Sequence, residues 1–414
     1  MAPIARPGAA SLRAIRFHYR PLRYLWTRFA AGRRPAIALG PTGCVSLDRI
    51  EPPALPGADW VRIESTLSGI CGSDLAAITA HDSFTLEPFG AFPFTFGHEN
   101  AGRVQEAGSA ARDWTSGHAV VVNPMLACEQ RGLEDCPACA RGEYGLCRRT
   151  QDGAIGNGPM IGYSPATGGG WSKTFVAHRS QIHSADGLGD GLAVLADPLA
   201  SALRPVLLHP PADGDVVLVI GAGTIGALTV RALRATGWEG PLACLGRYDF
   251  QLELAEAAGA DHVFRRPDEL YRWAESLPHA RAYKPSLAPR FVEGGPSLVY
   301  DTVGSSSTIQ DALAITREGG KVVLVGGAAR VSADWTRLWY RQLTVAGIFA
   351  YGRAPFRGVQ RDIYDSSLEL LRTDGVAQLG MVTHVFALEE YRAALAAALD
   401  KGGHRSIKVA FRPE

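Results

Sequence analysis

The sequence predicts an α/β protein in which a mainly β region is followed by a doubly wound parallel sheet. From about residue 40 to 195, short apolar runs are broken by Gly and Pro, which is typical of small strands and loops. From about residue 212, apolar strands alternate with helical segments, as parallel β-α-β units require. The chain has 414 residues, enough for two or three domains at roughly 150 residues each.

The composition is that of an ordinary globular protein. Hydrophobic residues make up 46% of the chain, charged residues 20%, and the formal net charge is +1, so nothing favours a nucleic-acid partner. The longest apolar run, VVLVIGAGTIGALTV at 216–230, is shorter than the ~20 residues of a membrane-spanning helix. We therefore expect no transmembrane helix and no membrane partner. Because no secretory signal pattern is present, we expect a cytoplasmic protein with reduced cysteines.

The first 47 residues contain eight arginines and no acidic residue. This bias also occurs in organelle transit peptides. We expect folded structure here instead, because RAIRFHY alternates like a first strand and PLRYLWTRFAAG resembles an amphipathic surface helix.

The second half of the chain contains the clearest helix and strand patterns. DVVLVIGAG, PLACLG, SLVYDTVG and KVVLVGG are predicted strands, and TIGALTVRALRATG and FQLELAEAAGA are predicted helices. After about residue 355 the sequence predicts a helix (VQRDIYDSSLELLRT), a strand (MVTHVFA), a helix (LEEYRAALAAALD) and a closing strand (SIKVAF). We expect this tail to pack on the first domain. Residues 265–296 form a charged, proline-containing insertion that the pattern does not assign.

Four of the seven cysteines lie within twenty positions, namely Cys128, Cys136, Cys139 and Cys147. The last three follow C-x2-C-x7-C, and four thiolates from one loop fit a tetrahedral zinc site. Such a closed site stabilises its loop, with on the order of 10 kcal/mol of binding free energy in small zinc domains. The alternative is two disulfides or unrelated thiols. Cys44 and Cys244 match no motif, and we expect both to be packing thiols.

Two further motifs supply ligand types of a catalytic zinc. GICGSDL at 69–75 contains Cys71, and FGHEN at 96–100 contains His98 and Glu99. Taken alone, a cysteine such as Cys71 is more often a core residue than a ligand, and a histidine such as His98 is more often a loop residue than a ligand.

A glycine motif, GAGTIG, lies between a predicted strand and a predicted helix and therefore predicts a dinucleotide site. Its candidate residues are Gly221, Gly223, Thr224, Ile225 and Gly226. The alternative is a tight strand-helix turn without a ligand.

The cofactor preference depends on the end of the second strand of that sheet. The position where an acidic side chain would bind the ribose 2′-hydroxyl of NAD falls on Gly246, and Arg247 follows. A guanidinium can pair with a 2′-phosphate, so we predict NADP. The alternative is NAD, with Asp249 reaching back to the ribose.

The order GICGSD, GHE, the four cysteines, GGGWSKTFVAH, DPLA and GAGTIG resembles the zinc-dependent medium-chain dehydrogenase/reductase family, the alcohol, sorbitol and threonine dehydrogenases. The resemblance extends over residues 13–412. It implies a GroES-like β-barrel catalytic domain, residues 1–198 and 356–414, and a Rossmann dinucleotide-binding domain, residues 199–355, with the active site in the cleft between them. It also implies a structural zinc in the cysteine cluster and a homodimer or homotetramer.

By this resemblance, Cys71 and His98 match the first two ligands of the family's catalytic zinc. Asp197 stands where relatives have a Glu or Cys as the third ligand. Because Asp is one methylene shorter than Glu, Glu99 is the alternative third ligand.

The resemblance also assigns two supporting residues. Asp74 matches the carboxylate that accepts a hydrogen bond from the ligand imidazole, and Ser73 matches the hydroxyl that passes the substrate proton outward. The chain departs from the family at Ala76, where relatives often have a relay histidine, and His81 or the cofactor ribose with water could replace it. In the cysteine cluster, seven residues separate Cys128 from the next cysteine, where the common pattern has two.

The implied activity is reversible hydride transfer between NADP(H) and an alcohol or carbonyl substrate, with zinc as the Lewis acid. One alternative is reduction of C=N or activated C=C bonds, which the missing relay histidine leaves open. Another is a non-catalytic dinucleotide-binding protein, which the presence of the ligand residues disfavours. Aromatic side chains in the segments 81–92 and 334–340 suggest a partly apolar substrate pocket.

Overall fold

The structure is a computed structural model that describes residues 11–327 and 329–414. Its strands are β1 (Leu12–Phe17), β2 (Val45–Ile50), β3 (Trp60–Gly69), β4 (Phe94–Thr95), β5 (Asn100–Ala107), β6 (Ala119–Val122), β7 (Thr174–His178), β8 (Ile182–Ser184), β9 (Val217–Ile220), β10 (Leu242–Leu245), β11 (His262–Phe264), β12 (Arg281–Tyr283), β13 (Phe291–Glu293), β14 (Leu298–Asp301), β15 (Lys321–Leu324), β16 (Thr344–Gly347), β17 (Arg353–Phe356), β18 (Val359–Asp362), β19 (Val382–Phe386) and β20 (Lys408–Phe411).

Its α-helices are α1 (Pro21–Ala31), α2 (Gly72–Ile78), α3 (Asp190–Ala193), α4 (Ala196–Leu208), α5 (Thr224–Ala235), α6 (Asp249–Ala258), α7 (Pro267–Glu275), α8 (Ser306–Ile315), α9 (Thr336–Tyr340), α10 (Ile363–Thr373), α11 (Tyr391–Leu399) and α12 (Lys401–His404). The chain divides into two compact units, one formed by Met1–Asp197 with Val382–Glu414 and the other by Pro198–Met381.

The first unit is mainly β, as the short apolar runs predict. Its larger sheet has the strand order β19-β20-β3-β5-β6-β8, and β7 also pairs with β3. In the smaller sheet, β1 lies between β2 and β4. The long strand β3 contacts β5, β7 and β20 through antiparallel ladders, so it is the strand around which this unit is organised.

The N-terminal segment of the first unit folds as expected from its pattern. RAIRFHY contributes β1, and PLRYLWTRFAAG forms α1. Ile15 and Tyr24 from these elements join a core cluster with Ile78 of α2 and Phe411 of β20. The arginine-rich start is therefore part of the folded unit from residue 11 onward.

The second unit contains a six-stranded sheet with the order β11-β10-β9-β14-β15-β16. All of its strand pairs are parallel. Numbered within the sheet, the order is 3-2-1-4-5-6, which is that of the Rossmann fold. The strands are continuous apolar runs, as expected when helices cover both faces. This confirms the predicted doubly wound sheet.

The predicted helix VQRDIYDSSLELLRT is only partly helical. Its first four residues form β18, which pairs with β17 as a hairpin, and α10 begins at Ile363. Asp362 ends the strand and caps the helix, since its side chain accepts the Tyr364 N–H at 2.9 Å. A side-chain cap in the middle of the pattern therefore divides one predicted element into two.

The tail also divides differently from the expected range 356–414. Residues 356–381 belong to the second unit, and the chain returns to the first unit only from Val382. The reason lies in contacts with α5, where Arg231 Nε donates to Asp374 O at 2.7 Å and Arg231 also pairs with the Asp374 carboxylate at 3.1 Å.

The insertion at 265–296 forms α7 and the antiparallel hairpin of β12 and β13. Arg337 of α9 donates to Val292 O at 3.0 Å and so ties the hairpin to the second unit.

Within the described residues, one helical stretch, Asp190–Leu208, is long and apolar enough to cross a membrane by length and composition alone. It covers α3 and α4, and 72% of its most apolar window is buried inside the protein. Buried core helices of globular proteins have the same length and composition.

Candidate metal centres and dinucleotide site

Two neighbouring strands bring the motifs GICGSDL and FGHEN together. β3 leads to Cys71, and β5 begins directly after Glu99, with Ser68 opposite Asn100 in their antiparallel ladder. Cys71 is the N-cap residue of α2, and its N–H donates to Asp74 Oδ2 at 2.9 Å. Strand pairing and this helix start therefore fix the two motifs beside one another.

Glycines allow the close approach of the two segments. A Cβ at Gly69 would lie 2.0 Å from Glu99 Oε2, so no larger residue fits without displacing that carboxylate. Gly97 has φ +103°, and a Cβ there would lie 2.5 Å from Trp171 N. Only glycine adopts this backbone at low cost, and it sets the direction of the following His98.

Cys71, His98 and Glu99 form a group whose donor atoms all lie within 4.8 Å of one another. His98 is 3% exposed and Glu99 1% exposed, whereas Cys71 is partly exposed. Thiolate, imidazole and carboxylate are the donors that zinc takes in catalytic sites. The donor set thus fits a zinc ion, and the partly exposed thiol leaves one side of the group accessible.

Asp74 is completely buried beside the imidazole. Its Oδ1 lies 3.3 Å from His98 Nδ1, although the contact is not aligned as a hydrogen bond. Burial lowers the pKa of His98, but the charges of Asp74 and Cys71 outweigh burial and hold that pKa well above its ordinary value. Asp74 is within reach to orient the ring, as a carboxylate behind a ligand histidine does.

Tyr163 is a residue of this site that the sequence reasoning missed. Its hydroxyl donates to Asp74 Oδ1 at 3.0 Å. Burial raises the pKa of Tyr163 well above its ordinary value, and the Asp74 charge raises it further. Ser73 itself is exposed at the start of α2. Since GYSP is a common loop sequence, nothing local indicated that its tyrosine reaches this site.

Lys408 of β20 is the second residue that was missed. Its ammonium lies 2.6 and 2.7 Å from the two carboxylate oxygens of Glu99 and donates to Ile70 O at 3.3 Å. Burial alone would lower the pKa of Lys408, but the charges of Glu99 and Cys71 outweigh it and raise the pKa. The available signal was a lysine inside the apolar strand SIKVAF, because a buried lysine nearly always has a partner.

The other proposed members of the site lie apart from the donor group. Asp197, in the first turn of α4, is 4% exposed and is not among the residues whose donor atoms lie within 4.8 Å. Its charge instead contributes to the raised pKa of Lys408. His81 Nδ1 contacts Thr79 Oγ1 at 3.0 Å. Of the two candidates for the third ligand, the structure therefore brings Glu99 into the group.

The four clustered cysteines converge as the spacing predicts. The sulfurs of Cys128, Cys136, Cys139 and Cys147 all lie within 4.8 Å of one another, and Cys128 belongs to the group despite its longer spacing. All four are free thiols, and the Cys128–Cys147 and Cys136–Cys139 sulfur pairs are each 3.6 Å apart, far beyond the ~2.05 Å of a disulfide bond.

Backbone N–H groups surround these sulfurs. The Cys136 N–H donates to Cys128 Sγ at 3.3 Å, and the Arg149 N–H donates to Cys147 Sγ at 3.4 Å. Backbone donors from Arg148 and Cys139 lower the pKa of Cys136 to about 6, which favours its thiolate, whereas burial raises the pKa of Cys139 and Cys147. The arrangement fits a closed four-thiolate zinc site. Cys44 and Cys244 are buried separately in the two cores.

The glycine motif occupies the turn from β9 to α5 in the second unit. Gly221 follows the strand with φ +100°, and Gly223 is the N-cap residue of α5, whose first residues are Thr224 and Ile225. A Cβ at Gly226 would lie 1.6 Å from Gly221 O. These glycines permit a tight turn that leaves the helix N-terminus open to a phosphate group.

The residues that would select the cofactor follow β10. A Cβ at Gly246 would lie 2.6 Å from Ala222 Cβ, so packing disfavours any side chain at this position. Arg247 is exposed, with its guanidinium 5.6 Å from the Tyr248 ring. Asp249, the candidate for binding NAD, pairs with Arg265 at 3.0 Å.

Comparison with known proteins identifies both halves of the chain. The alcohol dehydrogenase GroES-like domain family matches residues 57–187, and the zinc-binding dehydrogenase family matches residues 224–365. The chain is 28% identical to L-idonate 5-dehydrogenase of Vitis vinifera over 371 residues, which cover 88% of this chain and 91% of that protein.

Solved structures show the same fold over nearly the whole length. A zinc-binding dehydrogenase of Sinorhizobium meliloti bound to NADP superposes with a TM-score of 0.71 at 23% identity, covering 98% of this chain and 100% of the other. RspB of Escherichia coli CFT073, in complex with NADH, gives a TM-score of 0.71 at 19% identity, with 97% and 99% covered. The GroES-like and Rossmann architecture is thus confirmed, and the chain belongs to the zinc-dependent medium-chain dehydrogenase/reductase family, whose members include alcohol and sorbitol dehydrogenases.

Proposed function

We propose that the protein catalyses reversible hydride transfer between NADP(H) and an alcohol or carbonyl substrate. The observation that carries this proposal is the group of Cys71, His98 and Glu99, a zinc donor set with one partly exposed member beside the exposed Ser73. The family to which the chain belongs supports an oxidoreductase, and a relative named for dehydrogenation at carbon 5 of L-idonate supports a hydroxyl or carbonyl group as the reacting centre.

Cys71, His98 and Glu99 would hold the catalytic zinc. Asp197 remains the alternative third ligand that the resemblance implied. When bound, zinc supplies Lewis acidity at the substrate oxygen. Asp74, 3.3 Å from His98 Nδ1, would orient the imidazole, and Lys408 holds the Glu99 carboxylate.

Ser73 is the residue that would exchange the proton of the substrate oxygen. Ser73 is exposed at the start of α2, directly before Asp74, whose carboxylate accepts the hydroxyl proton of Tyr163. From this exposed position, Ser73 would accept a proton from the substrate and pass a proton to water. We propose that this arrangement serves in place of the relay histidine that is absent at Ala76.

The NADP preference is supported by Gly246 and Arg247. Packing around Gly246 leaves no room for the acidic side chain that would bind the 2′-hydroxyl of NAD, and Asp249 is engaged by Arg265. The exposed Arg247 guanidinium is available to a 2′-phosphate. The four cysteines would hold a second, structural zinc. We further propose a cytoplasmic enzyme that forms a homodimer or homotetramer.

Single substitutions test the proposal on the purified full chain. Cys71→Ser and His98→Ala should each lose turnover with a ketone or alcohol substrate and still bind NADPH; full activity in either variant refutes the assignment.

Arg247→Ala should weaken NADPH binding at least tenfold, as expected for a lost charge-assisted contact, and leave NADH binding unchanged. Arg281→Ala in the β12 hairpin is the matched control.

The substrate screen should include imines and enones beside aldehydes and ketones. NADPH consumption with aldehydes or ketones, and not with the other classes, is the expected result. Turnover restricted to imines or enones would overturn the assignment to alcohols and carbonyls.

A further inference from the structure

Helix α1 exposes an apolar face. Leu22, Leu25, Trp26 and Phe29 are 84%, 53%, 52% and 61% exposed. Their spacing of i, i+3, i+4 and i+7 places them along one side of the helix. The opposite side is buried through Tyr24, Thr27, Ala30 and Ala31. We call the four exposed residues the α1 outer face.

The orientation of the helix is fixed by contacts on its buried side. Arg28 donates to Ala80 O at 2.9 Å and to Asp82 O at 3.0 Å, and its guanidinium lies 5.0 Å from the Phe84 ring. Tyr24 packs edge-on against Phe17 with ring centroids 6.4 Å apart. The α1 outer face is therefore presented outward by a packed helix.

A neighbouring segment also exposes apolar side chains, but it contacts α1 on the Tyr24 side, opposite the α1 outer face. The 3-10 helix Phe84–Phe89 contacts α1 through Tyr24 and Phe84, whose ring centroids are 6.0 Å apart. Phe84, Leu86 and Phe89 are 51%, 58% and 42% exposed. Exposed apolar side chains scattered singly are ordinary, whereas a group along one helix side, such as the α1 outer face, marks an interaction site.

The charge around the α1 outer face is positive. Arg20, Arg23, Arg33 and Arg34 are exposed at its edges, and residues 11–47 contain no acidic residue. Arg33 lies over the Phe29 ring at 4.3 Å, so a positive charge borders the apolar face directly. The acidic residues of the neighbouring segment 81–92 are Asp82 and Glu87.

We propose that the α1 outer face docks the protein on the surface of an anionic lipid bilayer. A helix with Trp, Phe and Leu on one side and arginines at its edges has the composition of interfacial helices that lie in the headgroup region. The arginines would attract anionic headgroups, and the apolar side chains would enter the acyl boundary. The sequence argument against a membrane partner concerned spanning helices, and peripheral docking goes beyond it and beyond the proposed activity.

A second copy of the chain fits this surface less well. In a two-fold symmetric contact, the same patch would face itself, so the arginines at its edges would be set against one another. Like charges brought together in this way oppose association. An anionic bilayer complements both the apolar face and its charged edges.

Vesicle flotation of the full chain tests this proposal. Wild-type protein should bind vesicles of phosphatidylcholine mixed with phosphatidylglycerol at least tenfold better than vesicles of phosphatidylcholine alone, and added salt should weaken the binding. The variant L22S/L25S/W26S/F29S should lose at least tenfold in binding. The control variant L287S/V359S, which removes exposed apolar side chains of the second unit, should bind like wild type.

A charge variant keeps the test independent of the apolar substitutions. R23Q/R33Q/R34Q should bind anionic vesicles roughly fivefold more weakly for each arginine removed. Unchanged thermal unfolding and zinc content would verify that each variant is folded.

Three results would overturn the proposal. The first is wild-type protein that does not bind anionic vesicles, or variants that bind as wild type does. The second is an oligomer, measured by light scattering, that the serine variant converts to a monomer, because a second copy would then cover the face. The third is binding to polyglutamate-coated beads but not to vesicles, which would assign an acidic protein partner.

Discussion

At the scale of single residues, the site depends on a buried ion pair as much as on its ligands. Glu99 is 1% and Lys408 3% exposed, and both carboxylate oxygens contact the ammonium group. Desolvating two charges is costly, so such a pair persists only with close geometry and further hydrogen bonds. The pair links the closing strand β20 to the motif that contains His98.

Replacing one partner should therefore be strongly destabilising. In zinc-free protein, we expect Lys408→Met to lower the free energy of unfolding by about 3 to 5 kcal/mol, because Glu99 is left as an unpaired buried charge. The double variant K408M/E99Q should recover most of that loss. Urea unfolding of the single and double variants measures the coupling.

The exposed pair of Arg13 and Glu389, which are 50% and 48% exposed, provides the matched control. Arg13→Met should change the free energy of unfolding by no more than about 1 kcal/mol. A Lys408→Met variant as mild as this control would contradict the structural role of the pair.

Tyr163 should act on zinc binding through Asp74. We expect Tyr163→Phe to weaken zinc binding at the Cys71 group about tenfold, as typically follows loss of a hydrogen bond behind a metal ligand. Competition with a chelator measures this affinity, and Tyr283→Phe in the β12 hairpin is the control. Identical zinc affinity in the Tyr163→Phe and wild-type proteins would show that the hydroxyl only fills space.

The sequence predicted the residues that belong to compact motifs. Cys71, His98 and Glu99 were recognisable because short segments contain both the ligand and the turn that presents it. Lys408 and Tyr163 were not recognisable, because they reach the same site from segments 309 and 89 residues distant from their partners. The spacing of residues along the chain does not predict contacts between segments so far apart.

At the scale of elements, the four-cysteine lobe is a loop with little regular structure. Its segments are short 3-10 turns, and its small cluster consists largely of the cysteines themselves. A loop of this kind has few apolar contacts, so the metal should supply most of its stability.

Removing one lobe ligand should remove one metal ion. We expect Cys136→Ser to bind one zinc fewer per chain than wild type and to be cleaved by protease within residues 128–149. Cys244→Ser, in the core of the second unit, should keep the wild-type zinc content. Elemental analysis and mapping of the cleaved fragments measure both effects, and equal zinc content in the two variants would exclude the lobe as a metal site.

The segment 359–373, predicted as one helix, shows where the sequence pattern misled at the scale of elements. Its apolar spacing continues through Asp362. In the structure, however, the first four residues pair with β17 as strand β18, and Asp362 is the N-cap residue of α10. The apolar periodicity of a segment gives no information about whether it pairs with a strand that lies just before it. The strands and helices around the glycine motif were predicted well, because their long apolar runs have no competing partner.

At the scale of the whole molecule, alternation of strands and helices was sufficient to predict the parallel sheet. Because parallel crossovers are right-handed as a rule, the observed order 3-2-1-4-5-6 implies helices on both faces of the sheet. The place where the chain leaves the second unit was missed, because it depends on contacts such as that between Arg231 and Asp374. The division into a β-rich unit and a parallel-sheet unit was evident from composition along the chain.

An anomalous difference map at the zinc edge, from crystals of the full chain, tests the central claim most directly. The account predicts one peak bounded by Cys71, His98 and Glu99 and a second among the four clustered cysteines. A map without density at the first position, or with the Cys71 and His98 side chains directed away from it, would contradict the proposed catalytic centre.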